Sequence, residues 1–296
     1  MDGQFIEGFL EVPKDELDLK TTMEVGQTFS WYKVSGDNLY EIEGDRYYTT
    51  KDGDVLILWQ EDDKLYYKAT GGMEEEIHHR LRLDESLQEI ISDVEGTDEV
   101  VDKAIQKYEG LRLLQDDFFP CLISYLCSPQ MRIPRIKKMF NSIAESFGET
   151  VTLGDKEFLQ FPTVEQLSEA SEEDLRDLGV GYRAKYIVRT VEQLQEGLVS
   201  YEELKDLEYE EAHKEITKLF GVGSKVGDCV LLFSVGKMEA VPIDTWVKKA
   251  VKKFYPEIYS KNYQEMRQNF VEYFGNHVGY IQEYLFHYIR NFENVE

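Results

Sequence analysis

The chain has little with which to build a metal centre, a disulfide framework or a membrane anchor. Three cysteines occur in 296 residues: Cys121, Cys127 and Cys229. An odd, small number argues against paired cysteines. There is no CxxC pair and no four-cysteine set for an iron–sulfur cluster. Histidine is scarce too, with five in all, and the adjacent His78 and His79 point to different sides of a helix. HExxH and comparable spacings are missing, so neither a metal nor a cofactor is expected. No apolar run nears the ~20 residues that span a bilayer. The opening MDGQFIEGFLEV lacks the basic-then-apolar pattern of a secretory signal. Internal repeats and low-complexity segments are absent as well.

Positive charge is also in deficit: 33 Lys and Arg against 58 Asp and Glu, a net −25. That is unusual for a nucleic-acid binder, but distribution matters more than the sum. Residues 1–120 carry −18 of it, leaving −7 for residues 121–296. Within that second part MRIPRIKKM (Met131–Met139) is +4 and Tyr182–Arg189 is +3, and Lys248, Lys249, Lys252 and Lys253 form a further basic cluster. The acid lies elsewhere, in stretches such as SEEDLRDL and YEELKDLEYEE. A local basic track on an acidic body is therefore possible. Apolar residues make up 42%, enough for a substantial core.

The expected architecture is α+β. Residues 5–70 read as short strands: TFSWYKV, LYEIE, RYYTT, VLILW and KLYYKA, separated by SGDN, EGD, KDGD and EDDK, which is the pattern of an antiparallel meander. MEEEIHHRLR, DESLQEIISDV and DEVVDKAIQKY then have apolar residues at helical spacing. From about residue 114 onward the chain reads as all-helical. The domains expected are 1–113, antiparallel β with helices, and 114–296, helical. The second divides into lobes of about 136–257, and 114–135 plus 258–296, with a cleft between them.

One stretch carries chemistry. LFGVGSKVGDCVLLF (Leu219–Phe233) sets two glycines between two helices. Glycine supplies the positive φ of such a turn at low cost. A second helix starting near Gly223–Ser224 turns its free N–H groups and positive dipole outward, forming a backbone phosphate clamp through Gly221 and Gly223. The plainer alternative is an interhelical turn. Lys225 falls in the first turn, where the dipole and apolar neighbours both disfavour positive charge and favour a free amine. Read locally, it is either a phosphate-contacting lysine or a nucleophile. Nineteen positions on, AVPIDTWVKKAVKKF places Asp244 at another helix start. It is either a plain N-cap or a carboxylate that cap bonds keep ionised at a cleft edge, able to stabilise an oxocarbenium ion.

LFGVGSKVGDC followed by VPIDTW resembles the helix-hairpin-helix, Gly-Pro-Asp superfamily of DNA glycosylases. Within it the chain resembles the 8-oxoguanine DNA glycosylase/AP lyase family. VGQTFSW, GLRLLQDDFFPCLISYLCS, LGVGYRAKY and IQEYLF follow the family's order over nearly the whole chain. The resemblance implies Lys225 as Schiff-base nucleophile and Asp244 as catalytic aspartate. Cys229 and Phe286 match the pair that sandwiches the flipped base, and Gln282 matches a reader of its Watson–Crick edge. Gly26 matches the glycine whose carbonyl accepts the extra N–H of 8-oxoguanine. Tyr182 matches the wedge at the vacated site, and Arg183 and Arg135 the readers of the orphaned cytosine. Gln130 falls where an asparagine normally fills the gap, and Met131 where a second is often found. Lys248 is counted among the DNA-binding residues. Phe220 stands where proline is common. Outside the resemblance, Phe286 and Cys229 read as core residues, Gly26 as a strand bulge, Gln282 as an exposed helical residue and Tyr182 as a helix-start aromatic.

The implied partner is double-stranded DNA containing oxidised guanine, bound by a monomer with no membrane partner. The implied location is intracellular and cytoplasmic, on the chromosome of a prokaryote. Two rivals stay open: a glycosylase for another damaged base, and a non-catalytic helix-hairpin-helix module that binds bent DNA.

Overall fold

A computed structural model describes residues 5–34, 45–153 and 156–292. The LYEIE strand expected at 39–43 lies outside these. The chain opens with β1 (Ile6–Glu11), α1 (Leu19–Glu24) and β2 (Tyr32–Lys33), then β3 (Tyr47–Lys51), β4 (Asp54–Glu61) and β5 (Lys64–Ala69). All five strands form one antiparallel sheet in the order β1-β5-β4-β3-β2. Asp52–Gly53, both at positive φ, close the β3–β4 hairpin, the backbone twist a two-residue turn prefers. α1 interrupts the expected run of strands. Asp18 caps it, accepting from Thr21 N at 2.7 Å.

Helices follow: α2 (Ile77–Leu81), α3 (Leu87–Val94), α4 (Glu99–Lys107), α5 (Phe118–Leu126) and α6 (Ile133–Phe147). Here the expectation of an all-helical remainder fails. β6 (Glu149–Leu153) and β7 (Lys156–Gln160) form an antiparallel hairpin. It docks on the outer face of the N-terminal sheet: Thr50 Oγ1 donates to Leu159 O, Leu159 N to the Tyr48 hydroxyl and Gly53 N to Gln160 Oε1. This explains why VLILW is continuously apolar. Leu56 and Leu58 face a core with Leu17, Trp31 and Leu81, while Val55 and Ile57 face Phe158 of β7. A strand covered on both faces has no side to leave polar.

The rest is helical: α7 (Val164–Leu167), α8 (Glu172–Asp177), α9 (Ala184–Gln195), α10 (Tyr201–Asp206), α11 (Tyr209–Ile216), α12 (Ser224–Val230), α13 (Thr245–Phe254), α14 (Tyr263–Phe274) and α15 (Val278–Phe292). α5, α6, α9, α11 and α12 share the largest core, through Leu122, Phe140, Ile187, Ile216 and Val230. A separate core joins α13, α14 and α15 to α4, through Val247, Phe270, Leu285 and Val101. α12 runs into one π-helical turn, Leu231–Val235. There Leu232 O accepts from Arg82, Phe233 O from Asp116 N at 2.7 Å and Ser234 O from Gln115 at 3.0 Å. Carbonyls around this π turn thus tie the helix that carries Lys225 to the N-terminal segment.

Candidate active site

The GVG turn joins α11 to α12, and α12 begins at Ser224 with Gly223 as its cap. Gly221 is held at φ +90, and a Cβ there would meet the Tyr186 ring at 2.6 Å, so both conformation and space require glycine. Gly223 is extended and exposed, and makes no side-chain cap bond. The first N–H groups of α12 therefore receive nothing from their own cap. Phe220 uses a group that proline lacks: its N–H donates to Gln193 Oε1 at 2.7 Å, and its carbonyl accepts from Thr190 Oγ1 at 3.0 Å. Its ring stays 41% exposed, edge-on to Tyr186.

One residue into α12, half-buried Lys225 directs Nζ to Ser128 Oγ at 3.1 Å, with Nζ 5.0 Å from the centre of the Tyr125 ring. Both partners come from the end of α5, which packs against α12. Cys229, one turn on, is buried, and burial pushes its thiol up to about 12 although the Lys225 ammonium pulls it down. It is a neutral, polarisable surface at neutral pH. Asp244 caps α13, its Oδ1 accepting from Trp246 N and Val247 N, each at 2.8 Å. These bonds favour the ionised carboxyl, as expected, but they do not act alone. Burial raises it above its ordinary value, and the Val247 bond, Lys225, the Trp246 bond and Arg290 offset only part of that rise.

α15 closes the site with Gln282, Glu283, Phe286 and Arg290. Gln282 is 3% exposed, so it is not the solvated helical residue that local reading allows. Its Nε2 donates to Glu283 Oε2 at 3.0 Å. Glu283 is equally buried, and burial pushes its carboxyl up to about 7, with Asp244 adding to the rise and Arg290 and Lys225 opposing it. The Arg290 guanidinium lies 5.5 Å from the centre of the half-buried Phe286 ring and donates to Val25 O at 2.9 Å. That bond brings Gly26 to α15. Gly26 lies in the bend between α1 and β2, at φ +94, where a Cβ would meet Ile133 at 2.5 Å. Gln27 fixes the next step, bonding Thr22 O, Arg112 O and Leu114 N, and its carbonyl accepts from the Tyr125 hydroxyl. Lys225, Cys229, Asp244 and, through Glu283, Gln282 are thus brought together, and Arg290 joins Phe286 to the segment that carries Gly26.

Tyr186 links the GVG turn to one more of the expected DNA contacts. Tyr182 is 50% exposed and stands edge-on to Tyr186, the ring under Gly221. Arg135 is exposed and donates to Gly179 O at 3.0 Å. Arg183 is turned inward: it is 2% exposed and its guanidinium donates to Pro129 O, holding the turn whose exposed tip is Gln130. Gln130 sits at φ +59, a left-handed conformation unusual for glutamine. Exposed Met131 follows it, and half-buried Lys248 lies in the first turn of α13.

Glu283, Arg290, Tyr125, Ser128 and Gln27 are the site's neighbours that sequence reasoning left unassigned. Four of them lie inside or beside quoted motifs, but nothing local distinguishes them from core or surface residues. Only packing from α5, α12 and α15 gathers them.

Comparison with known proteins gives a consistent answer. Residues 9–122 match the 8-oxoguanine DNA glycosylase N-terminal domain family, and residues 123–275 match the HhH-GPD superfamily of base excision DNA repair proteins. The chain is 34% identical to the N-glycosylase/DNA lyase OGG1 of Arabidopsis thaliana, over 94% of this chain and 78% of that one. It is 33% identical to an N-glycosylase/DNA lyase of Saccharomyces cerevisiae, over 89% and 75%. The Clostridium acetobutylicum 8-oxoguanine glycosylase/lyase, solved with double-stranded DNA containing cytosine opposite 8-oxoG, superposes with a TM-score of 0.85 at 30% identity, over 99% of this chain and 100% of that one. Two family matches that meet end to end, on a fold shared along its length, place the chain in the HhH-GPD superfamily of base excision DNA repair proteins, and within it in the 8-oxoguanine DNA glycosylase family.

Proposed function

We propose that this protein excises 8-oxoguanine from duplex DNA and then nicks the strand at the resulting abasic site. The observation that carries the reading is the pairing of Lys225, at the head of an uncapped helix, with Asp244, at the head of a capped one. Duplex DNA is gripped through the N–H groups beyond Gly221 and Gly223, and Tyr182 and Gln130 fill the space left by the flipped nucleotide. The base stacks between Cys229 and Phe286, Gln282 reads its Watson–Crick edge, and the Gly26 carbonyl accepts the N7–H that only the oxidised base carries. Arg135 and Arg183 attend the orphaned cytosine, which for Arg183 requires release from Pro129 O.

The neutral Lys225 amine adds to the anomeric carbon as the bond to the base breaks. The bonding pair leaves with the base, which takes up the proton that the attached amine gives up, and the Asp244 carboxylate stabilises positive charge on the sugar. Raised above its ordinary value, Asp244 is also a better proton acceptor than a surface aspartate. Ring opening gives a Schiff base between Lys225 and the sugar. Loss of a proton from the adjacent carbon expels the 3′ phosphate. The reaction takes place on the chromosome, inside the cell, and its steps balance without a redox partner.

Borohydride reduction tests this reading. It should trap the protein covalently on a duplex carrying 8-oxoguanine, and Lys225→Gln should abolish the trap. A Lys225→Gln protein that traps at the unaltered rate would remove Lys225 as nucleophile. Wild-type protein that binds the duplex without excision or trapping would make the chain a binding module only.

A further inference from the structure

Glu283 is a carboxyl with no task in the reaction just described. It follows Gln282 directly on α15, yet both side chains are 3% exposed. Consecutive helical positions point about 100° apart. Here both directions are enclosed, and one of them holds an ionisable group. A hydrophobic side chain would fill that space at lower cost in desolvation. Glu283 Oε2 accepts the Gln282 amide N–H at 3.0 Å, while Oε1 is enclosed and without a hydrogen-bond partner among the described residues. Three charged groups act on this carboxyl electrostatically: Arg290 on α15 itself, Asp244 at the head of α13 and Lys225 on α12.

An amide side chain can be turned either way, and its neighbours decide which end faces where. A carboxylate oxygen only accepts. The Gln282 NH2 group must therefore face Glu283, because the reverse would set one acceptor against another. With Glu283 ionised, the amide nitrogen is held by Glu283 and the amide oxygen is left for another donor.

We propose that Glu283 is a positioning residue that fixes the Gln282 carbonyl as the group read by the flipped base, and so selects purines with an N1–H donor over purines with a bare N1. Guanine and 8-oxoguanine present N1–H and N2–H donors on that edge. Adenine and 8-oxoadenine present an N1 lone pair, which a fixed carbonyl oxygen repels. The Gly26 carbonyl reads oxidation at the other side of the ring, so the two acceptors answer separate questions about the base. This inference rests on the reading of Gln282 as a base contact.

The test compares kcat/KM for excision of 8-oxoguanine and of 8-oxoadenine, each opposite cytosine, with nicking of an abasic duplex measured alongside. In Glu283→Leu the preference for 8-oxoguanine over 8-oxoadenine should fall by roughly tenfold to a hundredfold, the scale of a lost or reversed hydrogen bond at a buried edge. The loss on 8-oxoguanine should exceed the loss on the abasic duplex by about tenfold. Glu283→Gln can offer Gln282 either an accepting oxygen or a donating NH2 group, so its preference should fall between those of wild type and Glu283→Leu. Gln282→Leu should lower the preference similarly, and the double variant should lose little more than either single one. An unchanged preference in Glu283→Leu, equal losses on base-bearing and abasic duplexes, or additive losses in the double variant would each overturn the proposal. Should Glu283→Leu fail to fold, Glu283→Met, closer in length and volume and equally unable to accept from Gln282, makes the same comparison. Failure of the wild-type protein to excise 8-oxoguanine is a separate result, and it removes the base-reading assignment itself.

Discussion

Two helices begin at this site, and they begin differently. α12 starts on Gly223, which makes no side-chain bond to the first-turn N–H groups. α13 starts on Asp244, whose one carboxylate oxygen accepts two of them. Both starts have an extended cap residue and the positive end of a dipole. One leaves its donors for an anion from outside, such as a phosphate. The other uses its donors to fix an anion of its own. The difference divides the labour: α12 supplies grip and the amine, and α13 supplies the negative charge that a cationic sugar needs.

The sharpest way to break this comparison is Asp244→Asn. Asparagine caps helices as well as aspartate does, so the start of α13 should survive. The charge does not. Base excision should fall by ~100-fold or more, while affinity for an abasic duplex changes by less than about threefold. Stopped-turnover kinetics and a binding titration measure the two. Equal losses would mean that Asp244 only caps.

The converse change fills the open start. In Gly223→Asp the backbone is already extended, and an added Cβ meets nothing within 4 Å. The new carboxylate can cap α12, so stability should hold or rise by a few tenths of a kcal/mol. Duplex affinity should nevertheless drop about tenfold, with the salt dependence of binding shallower by about one charge. Full affinity in Gly223→Asp would show that phosphate does not use this helix start. Gly221→Ala is the control: it needs φ +90 and meets Tyr186, so its damage belongs to folding.

How much of this was legible in the sequence follows from how local each feature is. The GVG turn, the α12 start at Ser224 and the capping by Asp244 need only neighbours in the chain, and they stand where the residues predict. The β6–β7 hairpin does not show itself, because its partners Tyr48, Thr50 and Gly53 lie about a hundred residues away. Asp244's cap bonds are local and stand as expected, whereas the burial that raises its carboxyl is tertiary and leaves no mark in the neighbouring residues. Arg183 matches a reader of the orphaned cytosine in the sequence, yet packing turns it into the core. Glu283 sits in a quoted motif and gains its meaning only because α15 is enclosed on two sides.

Glu283 sharpens the comparison from another direction. Asp244 has two backbone donors for its charge, whereas Glu283 has one side-chain amide and an oxygen without a partner among the described residues. Its carboxyl is pushed from an ordinary 4.5 to about 7. Between those values the folded protein keeps a proton that the unfolded chain has released. Stability therefore falls as pH rises from about 4.5 to about 7, and stays lowered above. Glu283→Gln removes that loss. It should match wild type near pH 4.5 and gain up to ~3 kcal/mol by pH 8. Asp116 shifts in the same direction, to about 6, and His287 is lowered to about 4, but both titrate in the two proteins alike. Melting curves across pH 4.5–8 that stay parallel would show that Glu283 does not ionise in this window.

The smallest expected effect lies two residues beyond Ser128, the partner of Lys225. Gln130 holds φ +59 at an exposed turn tip, with the preceding carbonyl fastened to Arg183. Asparagine enters the left-handed region more readily than glutamine, because its short amide can bond its own backbone. Gln130→Asn should therefore raise stability by a few tenths of a kcal/mol, a melting shift of about 1 °C in a chain of this size. The amide is retained one carbon closer to the backbone, so excision should change by less than about threefold. A drop in melting temperature would mean that the Gln130 side chain, and not the Arg183 bond to Pro129, holds the turn that faces the open helix start.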